Sequence, residues 1–172
     1  MRTIVVILLL GSCGVLNAQP TTPAELMKAG KFTAKFPSEA KAETRTAGGL
    51  TVHMTFADYD QGKAGFMVVY SDLPTDKVKA ATADQILDSG ITGLKDNFRA
   101  KVTEATPTEH GAKKYPARLI KAEKDEPRDW AMHGKLVLVG NRLYQVFVFG
   151  SKDFVASSTE AKQFIDSFDI VE

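Results

Sequence analysis

The sequence predicts an α+β fold, a twisted antiparallel sheet of about six or seven strands flanked by helices. Three observations carry this. Two runs rich in β-branched and aromatic residues, Leu136-Val137-Leu138-Val139 and Leu143-Tyr144-Gln145-Val146-Phe147-Val148-Phe149, face each other across Gly140-Asn141, a pair suited to a tight hairpin turn. Shorter alternating runs precede them at hairpin-length spacing, which favours antiparallel pairing. Two stretches with apolar residues at helical spacing follow runs of strands instead of alternating with them.

Taken in order, the chain opens with Arg2 and the apolar run of residues 4–10, too short for a permanent membrane span and shaped like a secretory signal. Leu16-Asn17-Ala18 suits signal peptidase, giving a leader of residues 1–18, whereas Leu10-Gly11-Ser12-Cys13 resembles a bacterial lipobox with Cys13 as the lipidated residue. The shortness of the run favours cleavage after Ala18. The expected location is periplasmic or secreted, with a membrane-anchored lipoprotein as the alternative. Cys13 is the sole cysteine, so the mature chain has no disulfide, thiol nucleophile or cysteine-based metal site.

Residues 19–30, with Pro20 and Pro23, read as a tether containing a brief helical turn over 24–29, and residues 31–172 as a single domain. Residues 31–37 alternate, with Phe32, Ala34 and Phe36 on one face until Pro37 ends the ladder. Gly48-Gly49 opens a strand to Phe56, with Leu50, Val52, Met54 and Phe56 inward and Thr51, His53 and Thr55 outward. Residues 58–63 turn, and residues 65–71 return antiparallel. Asp72-Leu73-Pro74-Thr75 breaks that strand and leads to a helix over 83–99, where Leu87, Ile91, Leu94 and Phe98 form one apolar stripe and Thr82 with Gln85 makes a capping box. Gly90 and Gly93, each costing about 1 kcal/mol relative to alanine, predict a kink there.

Residues 102–109 and 115–123 are strands around a His110-Gly111-Ala112 turn, and Lys124-Asp125-Glu126-Pro127 is a charged loop before a strand that starts at Asp129 and enters the terminal hairpin. That hairpin is apolar on both faces, with Gln145 as the main interruption, so it belongs in mid-sheet. Something must cover it. Residues 159–168 can do so with Ala161, Phe164, Ile165 and Phe168, entered through a capping box of Ser157 and Glu160.

The 172 residues are 44% apolar and 25% charged, the balance of an ordinary globular protein. Removing the leader takes away Arg2 and leaves acidic and basic side chains equal in number, which argues against nucleic acid or an anionic membrane as partner. The three histidines, His53, His110 and His133, sit on separate elements with no i, i+4 pair. Only His53 and His133 could meet, if their strands pair. Asp58-Tyr59-Asp60-Gln61-Gly62 resembles the start of a calcium loop, but its twelfth position is Val69, so a hairpin turn is the better reading. The mature chain contains no Gly-x-Ser-x-Gly elbow, phosphate loop or dinucleotide fingerprint. Tyr70, Trp130, Tyr144 and Phe147 are expected mainly in the core. No catalytic residue, cofactor or metal is assigned, and His53, Tyr70, Trp130 and His133 form the candidate binding surface.

Phe32-x-x-x-Phe36-Pro37, Val69-Tyr70-Ser71-Asp72-Leu73-Pro74, Tyr115-Pro116-Ala117-Arg118, and Arg142-Leu143-Tyr144 followed by Phe164-x-x-Ser167-Phe168 resemble small exported bacterial proteins and lipoproteins of the PsbP-like fold, over about residues 30–172. The resemblance implies an antiparallel sheet with helices on its faces, in a group of largely non-enzymatic photosystem subunits, small lipoproteins and binding or inhibitor proteins. It carries over no catalytic residue. The expectation is therefore an exported, non-catalytic binding or assembly-type protein of the bacterial envelope. Its partner would be an envelope protein or small ligand, and it would touch the membrane only through a lipid at Cys13. The alternative is a small periplasmic hydrolase or metal-dependent enzyme using His53 or His133 with nearby carboxylates.

Overall fold

The computed structural model describes residues 22–47, 49–124 and 129–171. The leader, Cys13, Ala18 and loop residues 125–128 lie outside the described residues.

The elements run α1 (Pro23–Gly30), β1 (Phe32–Thr33), β2 (Lys41–Ala47), β3 (Leu50–Tyr59), β4 (Ala64–Asp72), α2 (Thr75–Lys79), α3 (Ala83–Phe98), β5 (Lys101–His110), β6 (Tyr115–Lys124), β7 (Trp130–Val139), β8 (Arg142–Ser151), α4 (Lys152–Ser157), α5 (Thr159–Ser167) and β9 (Asp169–Ile170). Seven strands form one sheet in the order β2-β3-β4-β8-β7-β6-β5, every neighbouring pair antiparallel, and β1 pairs separately with β9. As the apolar pattern predicts, the β7–β8 hairpin lies in mid-sheet, with β8 at the centre.

A strand apolar on both faces needs two covering layers. On one face α3 packs Leu87, Ile91 and Leu94 against Met132, Leu136, Leu143 and Phe147. On the other, Leu26 of α1, Phe32 of β1, Val155 of α4, Phe164 of α5 and Phe168 cover Phe66, Val68, Tyr70, Tyr144, Val146 and Val148. Phe164 meets Phe66 edge to face, with ring centroids 5.3 Å apart. The hairpin tip also holds the exit from β4, since Leu73 N donates to Asn141 O at 2.8 Å and Asn141 Nδ2 donates to Leu73 O at 3.2 Å.

The Thr82–Gln85 capping box of α3 forms as predicted. The helix runs through Gly90 and Gly93 as one element. Gly90 serves a close approach: a Cβ there would stand 3.1 Å from Leu136 Cδ1 and 3.5 Å from Leu143 Cδ2. The turn after β3 is also present, with Asp60, Gln61 and Gly62 all at positive φ.

Several expectations need correction. The stretch assigned to a tether with a brief helical turn contains α1, capped by Thr22 and Glu25 and packed through Leu26; its Pro23 occupies the first helical turn, where proline is tolerated. The strand expected over 31–37 is reduced to Phe32–Thr33 and lies outside the main sheet. β2 carries the sequence KAETRTA, whose polar composition hides an edge strand from a search for apolar alternation. In β3, Thr55 is buried, because both faces of that strand are partly covered. Among the described residues there are five helices where two were expected; α2 and α4 are too short to show a period. Finally, Ser158 caps α5, accepting from Ala161 N at 3.0 Å, while Ser157 donates back to Asp153 O inside α4.

Two glycine substitutions test this packing. A Cβ on Gly134 would lie 2.0 Å from Val146 O and 2.4 Å from Phe147 Cδ1, so backbone must move. Gly134→Ala is expected to cost about 3 kcal/mol in denaturant unfolding. Gly90→Ala, which meets mobile side-chain ends and gains helix propensity, should stay within about 1 kcal/mol of wild type. Equal effects from the two would contradict the packing described.

Candidate functional site

Cross-strand register decides which polar side chains share a face. His53, Tyr70, Tyr144 and Val137 form one row across β3, β4, β8 and β7. His53 stacks on Tyr70 with centroids 4.5 Å apart, and its Nδ1 lies 3.0 Å from Thr44 Oγ1. Beside them Arg142 makes a two-pronged bond to Asp72 at 2.6 and 2.7 Å, donates to Ala29 O at 3.0 Å, and sits 4.8 Å from the Tyr70 ring centroid. The Tyr144 hydroxyl donates to Gly30 O at 2.6 Å. These bonds satisfy the last carbonyls of α1 and place a cation at its C-terminal end. Arg142 holds the Asp72 carboxyl below its usual range, and the arginine is pushed up in turn. The group is saturated by its own contacts and works as a clamp on α1.

The other two predicted residues lie elsewhere. Trp130 is on the α3 face, stacked on Phe98 with centroids 6.2 Å apart and tilted against Phe149 at 6.4 Å. His133 shares a face with His53 but belongs to the row of Val148, Phe66 and Ala57. Because β4 and β8 intervene, three strand spacings put β3 and β7 about 14 Å apart. The two histidines therefore do not meet, and among the described residues no group of three His, Cys, Asp or Glu converges as a metal site would require.

The cover on this face extends over β7 and, at Ala117, onto β6. α1 packs on β2 and β3, α4 on β7 and β8, and α5 on β8. Beyond that limit Thr106, Leu119 and Lys121 are exposed, and Leu119 keeps 36% of its surface in water. Lys121 pairs with Glu104 at 2.7 Å next to half-buried His133, whose pKa is lowered by burial and then by Lys121.

At the border of this bare strip is a corner that sequence reasoning missed. Lys135 is buried to 9% exposure, and its ammonium stands 5.3 Å from the Phe168 ring centroid. His110 lies against the same ring, with centroids 5.3 Å apart; its Nε2 is buried without a hydrogen-bond partner, Asp169 Oδ1 being 3.7 Å away. Burial pushes the Lys135 pKa down, against the pull of Asp166 and Asp169. Burial also lowers His110, assisted by Lys135 and opposed by Asp169. The signal was present in the sequence: a lysine flanked by Gly134 and Leu136 in an apolar strand, in step with inward-facing Val137.

These burials make two predictions. A largely buried lysine with no hydrogen bond from the described residues costs stability, so Lys135→Met should raise it by about 1 kcal/mol in urea unfolding; a loss of that size would show the lysine to be structural. His53, His110 and His133 all have lowered pKa values in the folded state. The unfolded chain thus binds more protons near the ordinary histidine value of about 6.5. Their contribution to stability is complete above that pH and is lost as pH falls towards the folded values. The urea midpoint should fall from pH 7.5 to pH 5.5 and fall less in His110→Gln; an equal fall in that variant would contradict this assignment.

No protein-family profile and no curated protein sequence matches the chain. Among solved structures, the chain is similar to the solution structure of cyanobacterial PsbP (CyanoP) from Synechocystis sp. PCC 6803, with a TM-score of 0.59 and 13% identity over 94% of this chain and 98% of that one. At that identity the likeness is one of architecture, and it extends over nearly all of both chains. With its seven-stranded antiparallel sheet and helices on both faces, the chain has the PsbP-like fold.

Proposed function

We propose that the protein is an exported, non-catalytic binding or assembly-type protein of the bacterial cell envelope, and that it binds through the bare face of β5, β6 and the margin of β7. One observation carries the reading: past the helical cover on this face, Leu119 stays in water as the cross-strand neighbour of Lys135, a largely buried lysine with no hydrogen-bond partner among the described residues. A lysine so placed among apolar strands keeps an ammonium available to a partner from outside the chain. The expected export rests on Arg2 and the apolar run of residues 4–10. No helix among the described residues is long and apolar enough to cross a membrane. The similar PsbP structure supports the fold alone.

The test compares wild type with Leu119→Asp, a surface change beside the site. Both proteins are immobilised and exposed to solubilised envelope proteins and to extracted small metabolites, and retained species are identified by mass spectrometry. Wild type is expected to retain a defined component that Leu119→Asp loses at least tenfold. Retention indifferent to Leu119, or turnover of a hydrolase substrate that survives repurification and fails in His133→Ala, would replace this reading with the enzymatic alternative.

A further inference from the structure

The sheet has two edges, β5 and β2, and they are built differently. An edge strand shows a row of unpaired N–H and C=O groups, a template for another strand unless it is short, kinked or interrupted. β5 is interrupted twice: Pro107 lies within it, and its register with β6 breaks between Val102 and Glu104. β2 has neither device. Its seven residues, Lys-Ala-Glu-Thr-Arg-Thr-Ala, contain no proline or glycine and keep unbroken antiparallel register with β3 from Lys41↔Phe56 to Ala47↔Leu50. No described strand pairs with its outer edge. The charges of β2 alternate just as regularly. Lys41, Glu43 and Arg45 share the α3 side of the sheet, standing across from Phe56, Met54 and Val52. Thr44 is on the other side, with its Oγ1 3.0 Å from His53 Nδ1. Glu43 and Arg45 are bonded to each other along the strand at 2.5 and 3.0 Å, and both side chains remain partly in water.

The central residue of β2 is Thr44, and opposite charges flank it, Glu43 before and Arg45 after. We infer that β2 pairs edge to edge with β2 of a second copy of this chain, antiparallel about a twofold axis at Thr44. A twofold interface joins a patch to itself, so whatever one residue meets on the other copy meets it in return. In this register all seven residues find a partner, and Glu43 of each copy stands across from Arg45 of the other. Sliding the strands by one side-chain repeat in either direction sets Glu43 against Glu43 or Arg45 against Arg45, and like charges directly opposite destabilise a sheet. Sliding by a single residue would turn the charged side of one strand to the wrong face. Strand length and charge therefore select the same register. Directly opposed side chains on antiparallel strands are closer than side chains two apart on one strand. Each Glu43 carboxylate can thus accept from the second copy's guanidinium as well as from its own. The contact is small, so monomer and dimer are expected to exchange. One consequence is bivalence: β5 lies at the far end of each sheet, so the joined sheet presents a Leu119 strip near both ends.

The experiment measures molar mass by sedimentation over a range of protein concentrations, with backbone amide exchange at the lowest and the highest. A monomer–dimer equilibrium is expected, with residues 41–47 exchanging more slowly at high concentration and β5 unchanged. Glu43→Arg and Arg45→Glu should each weaken association at least about tenfold, because each sets like charges across the axis twice. Glu109→Arg, the same change on exposed β5, should leave association as in wild type. Mixing the Glu43→Arg and Arg45→Glu proteins makes both opposed pairs oppositely charged again, and a mixed dimer of wild-type strength is expected. Both substituted side chains are partly exposed, and a dimer restored on mixing could not come from unfolded chains. A wild-type mass that stays monomeric up to the solubility limit would overturn the inference. So would a dimer that both reversals leave intact, or a mixture in which association does not return.

Discussion

The structure depends on β8 having no solvent face. Leu143, Tyr144, Val146, Phe147 and Val148 are all buried, and Gln145 between them is buried too. A strand in that position must have a paired strand on each edge and a packed layer on each side, because its backbone and its side chains are equally removed from water. The requirement explains why β4 and β7 are its neighbours, why α3 lies on one side, and why the short elements α1, β1, α4, α5 and β9 gather on the other. The short helices could not persist alone, and each is anchored by one or two large residues: Leu26, Val155 and Phe164.

The two covers differ in extent, and the proposed binding face lies where the shorter one ends. α3 reaches β6 and β5, and Arg118 of β6 ties that cover down through Asp84 at 2.6 Å and Asp88 at 3.5 Å. The opposite cover is assembled from the chain ends, clamped at one side by Arg142 and Tyr144, and it thins out over β6 beyond Ala117. Where it stops, the sheet passes from a buried aromatic layer to exposed Leu119 and Thr106, with Lys135 at the boundary. A charge is held there at a cost to the fold, which is the usual sign that a residue serves something other than stability.

Much of the architecture was legible because strong local signals agree with the tertiary result. The apolar pattern of residues 136–149 required a doubly covered hairpin, and Thr82 with Gln85 marked the start of α3. What could not be read follows from weak local signals. β2 is a polar edge whose register is set by β3. α1 has a single fully buried side chain among its apolar residues, Leu26. Of the candidate surface, His53 and Tyr70 do come together, but as part of a helix clamp; Trp130 and His133 are on opposite faces. Proximity across a sheet depends on strand order, which the spacing of histidines along a chain does not encode. Lys135 and His110 were readable as residues and not as a pair, since only the meeting of β5, β7 and the end of α5 at Phe168 brings them together.

The central question is whether the strip around Leu119 and Lys135 is covered from outside the chain. A crystal structure of the protein purified from its own envelope addresses this directly. The expected result is non-protein or partner electron density over Leu119 and in contact with the Lys135 ammonium. Ordered solvent alone over Leu119, with Lys135 bonded to Asp166 or Asp169, would contradict the binding role.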